Sequence, residues 1–322
     1  MQRGGDQARC ADARVLWMSR SWSAPRSRAE IVIIDSVHRI AALLCLLSLP
    51  SLRAQERPLP NADQFMAQVK ARLASDDTRQ SGYMYLERRT EEKLDATGRP
   101  VHLSQKVFEV YPGIPGEARY RRLIEDDGRP IAPATLASED RKRQRAAQDY
   151  VNRLSTKTGR EQDAERRDKE RREEAAAIDD LFRIYHIRLV GRESVDGGET
   201  IVATLAPRPG VTARTDDGKM MRHFTARAWI SEADDEVVRV EIEALDDLSI
   251  GWGLFARVHK GARATYQRRK VNDEIWLPAD VTWSGTGRLL LFKQVRERGR
   301  SEFFGYRKFT VGTTTTYTTP AP

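Results

Sequence analysis

The sequence predicts a mainly β (α+β) protein, with a strongly curved antiparallel sheet or half-open β-barrel of about eleven strands and helices in its mouth. Two observations support this class. Segments of alternating apolar and polar residues fill most of the chain after residue 82, and short turns containing Gly, Asn or Asp join them. One long charged helical insertion, residues 133–185, interrupts the strands. A sheet of this size must curl in order to bury its apolar face.

The first 54 residues are typical of a targeting segment. His38 and Arg39 precede the apolar run IAALLCLLSLPSL, and the small residue Ala54 follows it. This run is too short to span a bilayer, so it indicates a secretory signal; the alternative is a buried core helix. Residues 1–36 are too long and too mixed for the charged start of a signal. We therefore expect the true translation start to lie downstream of them.

The composition narrows the protein class. The 322 residues are 39% hydrophobic and 32% charged, with a net charge of +8, and part of the basic excess lies in the targeting segment. This balance argues against an integral membrane protein and against a nucleic-acid partner. Both cysteines, Cys10 and Cys45, lie in the removable segment, so the mature chain has no thiol for a disulfide or metal. Such an exported chain suits a bacterial periplasm.

The mature chain is predicted to be a single domain, residues 55–311, followed by a disordered tail, residues 312–322. Asn61 caps a predicted amphipathic helix in which Phe65, Val69 and Leu73 recur every four residues. Three strands follow it.

The insertion at residues 133–185 is helical by propensity and breaks near the stretch STKTG. Its charged middle has no apolar face, and we expect it to project into solvent. Leu181 and Tyr185 are expected to dock its end onto the body. It is either a lid or partner-binding arm, or simply a solvated insertion.

Strands dominate the chain after the insertion. Val238, Val240 and Ile242 alternate with charged residues and predict a half-buried strand. The stretch SGTG, residues 284–287, reads as a hairpin turn, and RGR, residues 298–300, reads as another. Leu277, Val281 and Trp283 are expected to share one face of the strand before the first turn. Such residues either fill a core or line a hydrophobic cavity, and composition does not separate these alternatives.

The sequence contains no recognisable catalytic or cofactor motif. The five histidines show no metal-ligand spacing, and no nucleophile elbow, phosphate loop or dinucleotide fingerprint is present. Adjacent aspartates such as Asp246 and Asp247 would point to opposite faces of a strand, so they are expected at turns. The sequence therefore predicts no metal, no cofactor and no enzymatic activity. An enzyme whose site assembles from distant residues is the remaining alternative.

Several stretches together resemble a known family. A predicted signal and short helix lead to a strand hairpin, a DDGRP turn and the insertion. These are followed by TARAWISEADDEVVRVE, then HKGARATYQRRKVNDEIWLPADVTWSGTGRLLLF, and finally FFGYRKF. With the W-L-P motif at Trp276 to Pro278 and YRKF at Tyr306 to Phe309, the chain from residue 61 to 309 resembles the LolA/LolB/RseB-like superfamily, named after outer-membrane lipoprotein sorting.

The resemblance implies a half-open barrel with an apolar cavity that accepts acyl chains of lipids or lipoproteins. It implies an exported, non-enzymatic periplasmic binder or carrier in a Gram-negative-type envelope. The alternative is an interaction or sensor module of the same fold, with a filled core and a charged helical arm that contacts an envelope protein. The insertion is longer and more charged than the family's lid helices. The expected cavity wall is Val238, Val240, Ile242, Leu277, Val281, Trp283 and Phe309.

Overall fold

The computed structural model describes residues 57–113, 119–250, 256–289 and 293–308. The predicted signal segment, the predicted tail and Phe309 lie outside these ranges. The elements described below belong to the unit Pro58–Pro322. Within the described ranges, no helix combines the length and the apolar character needed to cross a bilayer.

Thirteen antiparallel strands form one sheet in the described part of the chain. They are β1 (Tyr83–Leu94), β2 (Pro100–Tyr111), β3 (Tyr120–Asp126), β4 (Arg129–Pro130), β5 (Tyr185–Val195), β6 (Gly198–Pro207), β7 (Phe224–Ser231), β8 (Val237–Ala244), β9 (Leu248–Ile250), β10 (Ala256–Val258), β11 (Arg263–Val271), β12 (Ile275–Leu289) and β13 (Lys293–Lys308). Their order is β4-β3-β2-β1-β13-β12-β11-β8-β7-β6-β5, and β9 and β10 branch from β12. The sheet is curved and its two ends stay unjoined, which confirms the predicted fold class.

Four helices accompany the sheet among the described residues: α1 (Ala62–Gln80), α2 (Pro133–Ser155), α3 (Lys157–Ile184) and α4 (Asp216–Met221). The predicted N-terminal helix is confirmed, and the side chain of Asn61 caps it by accepting from the Gln64 amide at 3.0 Å. The sequence pattern predicts an end at Ser75, and α1 runs five residues further, to Gln80. The short helix α4 and the strands β9 and β10 were not predicted, since none of them is long enough to show a period.

The insertion forms two helices, α2 and α3, which join the edge strand β4 to the opposite edge strand β5. Pro133 begins α2, where its missing N–H costs nothing. The break between the helices falls at Thr156, whose hydroxyl accepts from the Gly159 amide at 3.0 Å. In α2 no residue is buried. Four strands precede the insertion, one more than the three that were expected. The additional strand is the two-residue β4.

The largest core cluster packs α1 and the end of α3 against strands β5 to β8. We call the side of the sheet that carries these helices the concave face. Burial of the apolar side chains supplies most of the stabilisation here, about 25 cal/mol per Å² of apolar surface. The cluster comprises Phe65, Val69, Ile184, Tyr185, Ile201, Ala203, Leu205, Ala213, Ala228 and Ile230.

Asp180 ties α3 to the segment before α4. Its side chain is 1% exposed and accepts from the Arg183 guanidinium, the Arg214 amide, and the Thr215 amide and hydroxyl, at 2.5 to 2.8 Å. Burial on its own raises the pKa of Asp180, but the bonds from Arg183, Thr215 and Arg214 outweigh it and hold the pKa well below its usual range. Gly218 leaves the necessary room, since a Cβ there would lie 2.4 Å from the carboxylate.

A second buried charge joins α1 to the sheet. Glu236 is 3% exposed and lies between two guanidinium groups, with Arg79 at 2.5 Å and Arg268 at 3.3 Å. Arg268, itself buried, also donates to the carbonyl oxygens of Val237 and Trp276. The end of α1 is therefore fixed by ionic contacts, while Phe65 and Val69 hold its start.

The turns predicted at SGTG and RGR are wrong, because β12 and β13 run straight through these stretches. The glycines permit close approach instead. A Cβ at Gly287 would lie 2.4 Å from the Arg257 carbonyl oxygen of β10, and one at Gly285 would lie 2.9 Å from the Ala262 Cβ. The connection between these two strands lies between Leu289 and Lys293, outside the described residues.

Candidate functional site

A cavity of about 490 Å³ lies where β8, β11 and β12 approach β10 and the ends of β1 and β13. Its lining is mostly apolar. The apolar lining residues are Leu94, Phe224, Ile242, Val258, Ala262, Ala264, Trp283 and Val295. This volume falls within the roughly 300–1,000 Å³ of typical small-molecule sites.

The register of the strands explains why these residues meet. Residues directly opposite one another on neighbouring strands share a face of the sheet. One such row runs across seven strands on the concave face: Leu205, Ala226, Ile242, Ala264, Trp283, Gly299 and Glu91. At the Leu205 end the row is covered by the core cluster with α1 and α3. The cavity occupies the middle of the row, beyond that cluster.

Trp283 is the largest side chain of the cavity wall. Its ring lies over Gly299, since a Cβ at that position would be 2.1 Å from the indole Cζ2. The guanidinium of Arg89 lies 5.0 Å from the ring centroid, a cation–π distance, and Arg89 also pairs with Glu91. The indole is thus held between the backbone of β13 at Gly299 and the guanidinium of Arg89.

Charged residues lie among the apolar ones. The basic lining residues are Lys93, Arg257, Arg263, Arg288 and Arg296. Among the described residues that line the cavity, Glu297 is the one acid. Arg263 and Arg288 alternate along their strands with Ala264 and Gly287, so their side chains lie on the other face of the sheet from Trp283.

The structure brings two of the seven expected wall residues, Ile242 and Trp283, into the cavity lining. Val240 and Val281 lie in the next row of the same face, opposite Tyr266 on either side. Val240 packs on the main core, and Val281 packs with Tyr85, Val110 and Phe303. Leu277 is fully buried with Tyr83 and Ile275. Phe309 lies outside the described residues.

Val238 lies away from the cavity, on the other side of the sheet from Val240. It is fully buried with Val195, Val202 and Trp229. The cause is a register shift between β7 and β8, where Ile230 faces Val237 and Trp229 faces Arg239. Val238 is the extra residue, so the strict alternation assumed for this strand breaks at this point.

Ala264, Val258, Leu94 and the basic residues of the lining were not predicted as site residues. Ala264 sits between Ile242 and Trp283 in the row, and its small side chain leaves space between theirs. The alternation of the stretch GARATYQ could have placed it on a face, but only the pairing partners reveal what lies beside it.

Two histidines adjacent in sequence to the lining residues Phe224 and Val258 are held by acids. His223 contacts Asp246 at 2.6 Å and His259 contacts Asp247 at 3.0 Å, so the two adjacent aspartates serve different partners. The amide of Lys260 and then His259 lower the pKa of Asp247. The described residues place no hydroxyl in hydrogen-bonding contact with either ring.

The described side chains include no group of three His, Cys, Asp or Glu residues that could hold a metal ion. Burial raises the pKa values of Tyr85 and Tyr306, which pack beside Val281, so both phenols stay neutral at physiological pH.

No protein-family model and no curated protein matches the chain. Solved structures do. A domain named for outer membrane lipoprotein sorting, from Vibrio parahaemolyticus, has 12% identity and a TM-score of 0.30, covering 79% of this chain and 95% of that one. A LolA superfamily protein from Nitrosomonas europaea has 8% identity and a TM-score of 0.27, covering 78% and 94%.

MucB in its complex with MucA, from Pseudomonas aeruginosa, has 10% identity and a TM-score of 0.23, covering 78% of this chain and 100% of that one. At such identities and TM-scores no residue role is transferred, and the fold rests on the strand order and registers given above.

Proposed function

We propose that this protein is an exported, periplasmic, non-enzymatic binder or carrier of lipid or lipoprotein acyl chains. The observation that carries the proposal is the cavity of about 490 Å³ with a mostly apolar wall around Ile242, Ala264 and Trp283. Transfer of an acyl chain from water into such a wall is favourable by about 0.8 kcal/mol for each buried CH2 group. Non-covalent burial is reversible, so the chain can be handed to another apolar surface.

Export is supported by the sequence before residue 55. The basic flank, the short apolar run and the small residue at its end fit a secretory signal. Every cysteine of the chain precedes that point, so an oxidising compartment would meet no thiol on the mature protein.

Native mass spectrometry of the full chain, exported with its own N-terminal segment and purified without detergent, tests the acyl-binding proposal. We expect about one bound lipid or acylated peptide for each chain. Ala264→Phe should remove it, because the new ring would fill the space between Ile242 and Trp283. The matched control is Thr265→Phe, since Thr265 faces Glu241 and Thr282 in the adjacent row and does not line the cavity.

A clean mass for the purified protein, with no uptake of added fatty acid or lipopeptide, would refute acyl binding. Equal loss in both variants would show that the cavity is not the site. If a lipid copurifies with the protein, extraction and chemical analysis would identify it.

The second candidate is a module that binds an envelope protein through its charged helices. It is favoured by the exposure of α2, which has no buried residue, and by the place of α2 and α3 between the two sheet edges. Site-specific cross-linking from exposed Val151 in the producing cell would test it. Cross-links to one specific envelope protein support this function. If cells in which the protein carries a bound lipid give no such cross-links, the function is refuted.

A further inference from the structure

The volume of the cavity suits one acyl chain. A methylene group fills about the same space as a water molecule in the liquid, roughly 30 Å³. The cavity of about 490 Å³ therefore has room for about sixteen methylene groups, close to the length of a palmitoyl chain. Two chains of that length would need about 1,000 Å³, and the three chains of a triacylated lipoprotein would need still more.

The strand register limits the width of the cavity. Ala264 of β11 lies between Ile242 of β8 and Trp283 of β12, and the three side chains share the concave face. Neighbouring strands are about 4.8 Å apart, so the backbones that carry Ile242 and Trp283 are about 10 Å apart. These two side chains occupy part of that distance, and carbon atoms in contact lie about 3.5–4.0 Å apart. The space over the Ala264 methyl group therefore accepts one chain, and not two chains side by side.

One end of the cavity is closed by packed side chains. The next row of the concave face is Val240, Tyr266 and Val281, and none of these three lines the cavity. Val240 packs on the main core, and Val281 packs with the aromatic cluster around Tyr85. An acyl chain that lies over Ala264 meets this row if it extends further along β11. The cavity is therefore limited in length as well as in width.

We propose that the ligand is a single-chain acyl amphiphile, a fatty acid or a monoacyl phospholipid, whose one chain fills the space over Ala264 between Ile242 and Trp283. This rests on the proposed function and names the class of lipid for the same cavity. A diacyl lipid or a triacylated lipoprotein would bury one chain and leave the others in water. Those chains would contribute no burial of apolar surface, which is what drives the binding.

Titration calorimetry on the full chain, after delipidation, compares two soluble lipids that have the same head group and the same total number of acyl carbons. Lauroyl-lysophosphatidylcholine carries these carbons in one chain, and dihexanoylphosphatidylcholine divides them between two. We expect the single-chain lipid to bind at least about a hundredfold tighter, because the second hexanoyl chain stays outside the cavity. Laurate carries the same single chain without the phosphocholine, so its affinity separates a fatty acid from a monoacyl phospholipid as the source of the chain.

A series of lysophosphatidylcholines from decanoyl to stearoyl, each kept below the concentration at which it forms micelles, measures the length of the cavity. Affinity should rise about fourfold for each added CH2 group and level off at about sixteen carbons. Ala264→Val fills space for about two carbons, so its series should level off about two carbons earlier. The matched control is Thr265→Val, which keeps the side-chain shape, does not line the cavity and should leave the series unchanged. Unfolding curves establish that each variant is folded, and the comparison of the two soluble lipids needs no variant.

The outcomes separate this inference from the proposed function. Equal affinity for the one-chain and two-chain lipids overturns the single-chain assignment and leaves acyl binding intact. An affinity that rises at the same rate up to the stearoyl lipid overturns the limit set by the volume. Equal shifts in the Ala264 and Thr265 variants overturn the position of the chain. Failure of every lipid to bind overturns acyl binding itself.

Discussion

Replacement of Asp180 by asparagine tests how the charged helix α3 is held to the body of the protein. The carboxylate is 1% exposed and accepts four hydrogen bonds of 2.5 to 2.8 Å from Arg183, Arg214 and Thr215. Asparagine keeps one acceptor oxygen but removes the charge and places an NH2 group against donors. It leaves the cation of Arg183 without its partner.

The expected cost follows from these contacts. Hydrogen bonds to a charged group contribute about 1.5–3 kcal/mol, and removal of one partner of a buried ion pair costs about 3–5 kcal/mol. Because Arg183 is partly exposed and water can solvate it, we take about 3 kcal/mol for Asp180→Asn. For a domain of this size, that corresponds to a fall in Tm of about 6 to 12 °C.

Chemical and thermal unfolding of the full chain measure this cost, and the adjacent Asp179 provides the control. Asp179 is 66% exposed and pairs with Lys70 at 2.6 Å, so Asp179→Asn should cost less than about 1 kcal/mol. The pH dependence has a definite sign. The pKa of Asp180 is lowered on folding, so its contribution is full above the ordinary value of 3.8 and is lost as the pH falls through the folded value.

The difference in stability between wild type and Asp180→Asn should therefore hold constant from pH 7 to about pH 4 and shrink below it. Equal effects of the two substitutions at neutral pH would refute the reasoning. So would a difference that grows towards acid pH.

Two further predictions concern other close contacts. Gly299→Val should destabilise the protein by about 1–3 kcal/mol and shift tryptophan emission, because the side chain would displace Trp283; Gly191→Val, in open space, should do neither. Glu236→Gln should cost about 3 kcal/mol or more in urea unfolding, because Arg268 stays buried beside it, and replacing both by Met should cost less than Glu236→Gln. A larger loss in the double variant would contradict this.

The period-two pattern identified the longer strands, because a sheet with one buried face imposes alternation on its sequence. Helix propensity identified the insertion. The period-two pattern failed where the register shifts. Val238 reads as one of a series with Val240, yet the extra residue in β8 puts it on the other side. A shift of this kind depends on the neighbouring strand, and nothing in the local sequence records it.

Glycine was the second source of error. Gly285 and Gly287 have the composition of a turn, but they lie inside β12 and admit neighbouring backbone and side-chain atoms. Both roles need a residue without a side chain, so local sequence does not distinguish them. Ala264 was not predicted, and Asp180, one of the adjacent aspartates expected at surface turns, is instead buried within α3. The reason is related, because the importance of both residues lies in partners far along the chain.

The pairing of β1 with β13 has a consequence for how the protein is made. Glu92 and Arg298, which are 206 positions apart in the sequence, bond across these two strands. During synthesis, strands β1 to β4 have no neighbour on this side until β13 has been made. Such distant pairing slows folding, and a waiting strand edge can capture other chains. A chain cut before Lys293 would lack β13, the strand that joins β1 to β12. The sheet therefore cannot form completely until β13 has been synthesised.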